Sequence, residues 1–331
     1  MDVSSGTGML LKEITHKTMD ILKYTYRQTI PSDDLQGIVK QEQYLEDYNA
    51  KYDTQHAGVF NALASSITSK KFTPNYINQY RKRFQVDYYC YKEEGSIVGI
   101  AALEAGCRLQ ILRPYIPYRK MMASKIGKHV TTLVIDPKYR HQGIGTKLLD
   151  CIEERETCKY LTIACISYND VACNMYLHRK FIDIESSVYM KTVKSNYPDP
   201  YWMSVEQDSQ FLTKLTPAIH NHIKLFTSKI PELDEVIEIS TKPNPQIQYL
   251  KYAESSTYVC YSVLGKVAWV YWILSLNNEP LTSHALGSLI MDFYTLGMKY
   301  ILYDIDRTVL LNTKDLQIWT PMSRFLYKRI H

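Results

Sequence analysis

The chain carries no basic-then-apolar leader at its N-terminus, and no apolar run reaches the ~20 residues a membrane span requires. Its most apolar stretch, Val267 to Leu276, has the length of a strand. Together these absences point to a cytoplasmic protein with no membrane partner. Concentrated charge is missing too: the net charge is only +5 over 331 residues, so nucleic acid is not an expected partner. The seven cysteines (Cys90, Cys107, Cys151, Cys158, Cys165, Cys173 and Cys260) include no C-x-x-C pair, and no histidine cluster stands beside them. A metal site is therefore not expected. The odd count and apolar settings such as Leu161 to Ile166 favour buried thiols in a reducing compartment.

What is present is an ordinary globular composition, 45% hydrophobic and 22% charged, enough for a core without metals or disulfides. The length suggests two domains, and the tract Lys194 to Pro200, with two prolines, is the best linker. Residues 1–195 and 201–331 are the expected domains. The alternation from Lys23 to Ile30 predicts a strand, and Pro31 to Asp34 supplies caps for a helix through Leu35 to Val39. A second helix is expected within Phe60 to Phe84, interrupted by Pro74. Val86 to Tyr91 and Ile97 to Leu103 flank Glu93-Glu94-Gly95 as a hairpin. Arg108 to Lys128 is a basic, aromatic loop without a clean period.

The pattern then sharpens. His129 to Ile135 is a β-branched strand broken by Asp136-Pro137-Lys138-Tyr139, and Thr146 to Glu154 has helical spacing. Between them runs Arg140-His141-Gln142-Gly143-Ile144-Gly145. A strand entering a glycine turn and then a helix presents unpaired N–H groups and the positive end of the helix dipole, which together favour a phosphate. Gly143 and Gly145 leave no Cβ in the way of a pyrophosphate. A further strand, Tyr160 to Ile166, leads to Asn169, a cap for a helix through Tyr176 to His178, and closing strands follow from Phe181 to Val193.

Arg140, Gly143 and Gly145 resemble the Arg/Gln-x-x-Gly-x-Gly/Ala signature of the GNAT N-acetyltransferase superfamily. One strand later, Asn169-Asp170-Val171-Ala172 through Tyr176 to Phe181 resembles that family's Asn-x-x-Ala-x-x-x-Tyr-x-x-x-Gly-Phe segment. Lys180 departs from it by standing where glycine is common, at a left-handed turn less comfortable for lysine. The resemblance covers roughly Lys23 to Val193. It implies the GNAT acyl-CoA N-acyltransferase fold, an α/β arrangement on a mixed sheet, and acetyl-CoA as co-substrate without a metal. The bland alternative is another α/β fold whose Gly-x-Gly merely packs a helix close to a strand.

The resemblance implies direct acetyl transfer to an amine. The backbone at Leu133, Val134 and Ile135 would hold the pantetheine arm, with one N–H polarising the thioester carbonyl. Arg140, His141, Gln142, Gly143, Ile144, Gly145 and Thr146 would take the pyrophosphate, with Asn169 and Tyr176 completing the cofactor set. Tyr176 matches the position of the general acid for the leaving sulfur; the alternative is a tyrosine that only packs over the cofactor. For the general base, His129 has a suitable intrinsic pKa and Glu104 is its rival through a bound water. A surface-exposed His129 without a role is the bland reading.

The second half runs helix, hairpin, helix, strand and lacks such a turn; Asn277 to Gly287 stands in its place. It reads as a degenerate GNAT-like repeat that has lost the cofactor, walling the substrate groove or forming a homodimer contact, or else as an unrelated α+β accessory domain. The tail Phe325 to Arg329 faintly echoes the Tyr176 helix. The acceptor is expected to be a primary amine of a protein or small molecule, and the basic segment 108–128 argues against polycations. An acetyl-CoA sensor without turnover, or a transferase for a different acyl donor, are the rival functions.

Overall fold

The computed structural model describes residues 21–52, 72–106, 126–166, 169–192, 201–230, 244–277, 281–306 and 320–331. The segment 108–125 and the linker tract 194–200 of the sequence reading lie outside these residues.

The chain opens on β1 (Ile21–Tyr24), shorter than the strand expected from Lys23 to Ile30. It ends because Thr25 enters a turn, with Gln28 N–H donating to Thr25 O at 3.0 Å and the Gln28 side chain accepting from Thr25 N. Helix α1 (Ser32–Tyr52) follows, with Asp33 and Asp34 in its first turn, where the helix dipole favours carboxylates. Pro74 begins a helix, α2 (Pro74–Phe84), rather than interrupting one, because its missing N–H costs nothing at N1. Strands β2 (Asp87–Glu93) and β3 (Ser96–Ala105) form the expected hairpin. Glu94 at φ 49° and Gly95 at φ 79° give the left-handed pair that a two-residue turn requires.

Next come β4 (Gly127–Ile135), a 3-10 turn at Pro137–Tyr139, α3 (Ile144–Arg155), β5 (Tyr160–Ile166), α4 (Asp170–His178) and β6 (Ile182–Lys191). The second half contributes β7 (Trp202–Ser204), α5 (Ser209–Thr227), β8 (Gln248–Tyr252), β9 (Thr257–Leu264), β10 (Val267–Ser275), α6 (Ser283–Thr295), β11 (Tyr300–Asp306) and β12 (Thr320–Arg329). Phe325 to Arg329, read from sequence as an echo of a helix, is thus strand. Phe325, Leu326 and Tyr327 are all buried, so two sheet faces are satisfied at once and helical spacing has no meaning there.

The twelve described strands form one mixed sheet in the order β1-β2-β3-β4-β5-β12-β6-β11-β10-β9-β8-β7. Its halves mirror each other. Each starts with an antiparallel ladder and ends in a parallel pair, β4 with β5 and β10 with β11. At the centre the halves exchange strands: β12 pairs with β5, and β6 pairs with β11. The fold is therefore a mixed α/β architecture whose two halves repeat one strand pattern and are fused through their last strands.

Helices cover both faces. One first-half core joins Leu148, Leu149 and Ile152 of α3 and Cys173 and Tyr176 of α4 to Val130, Leu161 and Ile163. The opposite core joins Ile38 of α1 and Ile77 of α2 to Tyr88, Ile100 and Val134. In the second half α5 packs on one face through Leu215 and Ile219, and α6 on the other through Leu289 and Phe293. The six described cysteines are free thiols and buried, as expected. Among the described residues no helix is long and apolar enough to cross a membrane.

Candidate functional site

Two irregularities in β4 create the site. Its ladder with β3 slips between Ala102 and Leu103, where Thr132 and then Val130 are the partners, so Thr131 is the extra residue of a bulge. Its parallel pairing with β5 covers only Gly127 to Val130 against Tyr160 to Ile163, while both strands run on. The strands splay, and the edge of β4 beyond Val130 is released from β5. A cavity of about 450 Å³ opens there, lined by Leu133, Val134 and Ile135.

The turn after β4 closes one end. Asp136 caps the 3-10 turn through Lys138 N–H, and His141 and Gly143 both take left-handed φ, 61° and 75°. Lys147 N–H donates to Gly143 O as the first helical bond of α3. The N–H groups before it have no acceptor within the helix, and Gly143 supplies no side-chain cap. Successive N–H groups in such a turn make a concavity for an anion. A Cβ on Gly143 would meet nothing within 4 Å and one on Gly145 only Met175 Sδ at 3.7 Å. Close packing of α3 on the sheet therefore does not explain Gly143 or Gly145. The donor set suits a pyrophosphate.

Helix α4 forms the far wall. Asn169 accepts from Ala172 N–H at 3.2 Å, starting the helix at the cavity edge. At the other end Phe181 N–H bonds Tyr176 O and Lys180 N–H bonds Leu177 O, with Lys180 at φ 66°. This is the Schellman closure, and the accompanying ring contact joins Tyr176 to Phe181 with centroids 5.8 Å apart. The left-handed residue is a lysine all the same, at a cost of about 1 kcal/mol. Tyr176 is held in place from both sides. Burial pushes its phenol well above the usual tyrosine value, so it stays protonated.

The cavity brings together eleven of the twelve positions read as cofactor-binding. Gln142 is the exception: it is exposed, and its amide turns back to Lys138 O. The other two catalytic candidates lie elsewhere. Glu104 and His129 are register partners on β3 and β4, both buried, and neither lines the cavity. His129 contacts Thr162 Oγ1 through Nδ1 at 3.0 Å and stacks on Phe325 of β12 at 5.5 Å, so it is not a surface group. It precedes Leu133 by four residues, about 13 Å along a strand.

Helix α1 adds residues the sequence reading did not reach. Leu45 and Tyr48 line the cavity. The Arg140 guanidinium lies over the rings of Tyr44 and Tyr48 and donates to Tyr44 OH at 2.9 Å. Glu42, one turn before Leu45, accepts from Tyr88 OH at 2.7 Å and from Thr132 Oγ1 at 3.2 Å, beside the bulge. Burial pushes its carboxyl up to about 7, against the pull of those two bonds. A carboxyl raised in the fold holds its proton more tightly folded than unfolded, so stability is greatest at acid pH and falls between pH ~4.5 and 7. That displacement is worth about 3 kcal/mol. Glu42→Gln is therefore expected to gain about 2–3 kcal/mol relative to the parent on going from pH 5 to pH 8, as read by urea denaturation at both. An unchanged difference would show that Glu42 is not ionised under strain. Among the described residues no three His, Cys, Asp or Glu side chains gather as a metal site.

Residues 59–181 match the sequence model of the Acetyltransferase (GNAT) family. No curated protein matches the chain. Among solved structures, a GCN5-related N-acetyltransferase from Sphaerobacter thermophilus aligns with TM-score 0.49 and 10% identity, covering 94% of this chain and 96% of that one. A tandem GNAT protein from the clavulanic acid biosynthesis pathway aligns at 0.44 and 11%, covering 94% and 99%. PaiA N-acetyltransferase from Thermoplasma acidophilum, in complex with coenzyme A, aligns at 0.34 and 14%, covering 50% and 91%.

Proposed function

We propose that the protein, whose residues 59–181 match the sequence model of the Acetyltransferase (GNAT) family, moves an acetyl group from acetyl-CoA directly to a primary amine of a protein or small molecule. The observation that carries this is a cavity lined at once by the released β4 edge, the glycine turn and Tyr176. An extended amide chain fits such an edge by adding to it as a strand would. Acetyl-CoA supplies the activated acyl group. The β4 backbone at Leu133 to Ile135 orients it and offers an N–H to the carbonyl oxygen as charge develops. The turn from Arg140 to Thr146 binds the phosphates, and Arg140, fixed by Tyr44 and Tyr48, keeps a cation beside them. Tyr176 holds a proton where the sulfur leaves.

The attacking amine must lose a proton, and buried groups beside β4 can take it. His129 with Glu104 across from it is one route. Glu42 is nearer, hydrogen-bonded to the residue before Leu133, and near neutrality it is poised to accept. Replacing the working base removes the acid limb of the pH–rate profile, and replacing the other leaves it in place.

The reading is tested by calorimetry of acetyl-CoA binding to the parent and to the Gly143→Glu, Gly145→Glu double variant. Two carboxylates at the helix N-terminus oppose the phosphates, and binding at one site per chain is expected to weaken at least tenfold. A folded parent that binds no acetyl-CoA would sink the reading. Binding without turnover on any amine would favour a sensor.

A further inference from the structure

Helix α4 and strand β5 face each other across a pair of thiols that the proposed chemistry does not use. Cys165 Sγ and Cys173 Sγ are 2.7 Å apart, about 0.7 Å longer than the ~2.05 Å of a disulfide bond. Both residues are buried. Arg324 of β12 stands opposite Cys165 in the β5–β12 register, and Asp183 holds its guanidinium through Nε–Oδ1 at 3.0 Å and a second bond to Oδ2. The hydrogen bond from Cys165 and the Arg324 cation bring the Cys173 thiol down to about 7, while its partner is pushed up. One thiol is ready to react as thiolate and the other to resolve it. Ala172 and Met175, on either side of Cys173 in α4, line the cavity.

We propose that Cys165 and Cys173 form an oxidisable dithiol that closes to an intramolecular disulfide under peroxide and staples α4 to β5. The Cys173 thiolate attacks one peroxide oxygen; the S–O bond forms, the O–O bond breaks, and the departing hydroxide takes the thiol's proton as water. Cys165 sulfur then attacks Cys173 sulfur; the S–S bond forms, the S–O bond breaks, and a second water leaves with the remaining proton. Two thiols and one peroxide give one disulfide and two waters. The sulfurs need to approach by less than an ångström, so the cavity wall from Asn169 to Tyr176 is fixed in its present shape rather than distorted. The proposal rests on the thiols alone and stands whether or not the chain transfers acetyl groups.

The two cysteines lie on one tryptic peptide, Tyr160 to Arg179, which contains no other cysteine. After hydrogen peroxide treatment, denaturation and iodoacetamide, that peptide is expected to have lost two hydrogens and gained no alkyl group. Cys90 and Cys260, whose thiols burial pushes up, are expected to remain alkylated. The oxidised protein is expected to melt several degrees higher, a shift reversed by dithiothreitol. Cys165→Ser keeps a hydrogen-bond donor beside Cys173 but no resolving sulfur, so Cys173 is expected to stop at sulfenic acid, trapped by dimedone. Full alkylation of the parent peptide after peroxide, or Cys173 sulfinic acid beside an unmodified Cys165, would overturn the proposal. So would a disulfide form that melts no higher than the reduced one.

Discussion

A chain ending at Trp319 is expected not to fold. Removing Thr320 to His331 takes out a strand from the middle of the sheet, not from its edge. β12 pairs with β5 from Ser323 to Arg329 and with β6 from Thr320 to Tyr327. Both neighbours would then present unpaired edges to water or to other chains. Phe325, Leu326 and Tyr327 are buried and belong to the cores on both faces. At roughly 2 kcal/mol for each buried side chain, their loss alone is about 6 kcal/mol, a large share of the 5–15 kcal/mol that holds a typical domain folded. The ion pairs from Arg324 to Asp183 and Lys328 to Glu153 go with them. Circular dichroism and gel filtration of the truncated chain are the measurement. A soluble monomer with a cooperative melt would show that the central exchange is dispensable.

Tyr176→Phe is expected to lower kcat by about a hundredfold or more, with the KM for acetyl-CoA changed less than about threefold. The substitution removes one hydroxyl and keeps the ring against Phe181, so the Schellman closure and the cavity wall persist. Thermal stability is expected to stay within a degree or two of the parent. Because burial lifts the phenol far above neutrality, its ionisation does not set the alkaline limb of the parent's rate profile. Equal kcat in parent and variant would reduce Tyr176 to a packing residue over the cofactor.

The parts of the site that are contiguous in sequence were legible there. The strand 160–166 and the helix 170–178 have the predicted bounds, because β-branched runs and an asparagine cap act through local backbone chemistry. The glycine turn was readable for the same reason. Tyr44, Leu45, Tyr48 and Glu42 were not, since α1 meets the turn almost a hundred residues later in the chain and its aromatic positions look like any amphipathic face. His129 illustrates the converse. Read from sequence as a candidate base, with a surface group as the alternative, it is enclosed by Thr162 of β5 and by Phe325 of β12, which arrives from the far half. Lys180 shows local preference overridden: hydrogen bonds and the Tyr176–Phe181 contact hold a left-handed lysine where glycine would be easier. The central strand exchange leaves no signal within any one segment, because register is a property of pairs.

That exchange also sets a timetable for synthesis. β5 leaves the ribosome roughly 150 residues ahead of β12, a wait on the order of ten seconds or more. Throughout it β5 lacks its antiparallel neighbour and has an open flank, where Leu161 and Ile163 await the core side chain of Leu326 that β12 brings. The nascent first half cannot finish ahead of the second, so the two mature in a single late event. Nascent chains are thus expected to need shielding by a holdase on this flank until the final strand arrives.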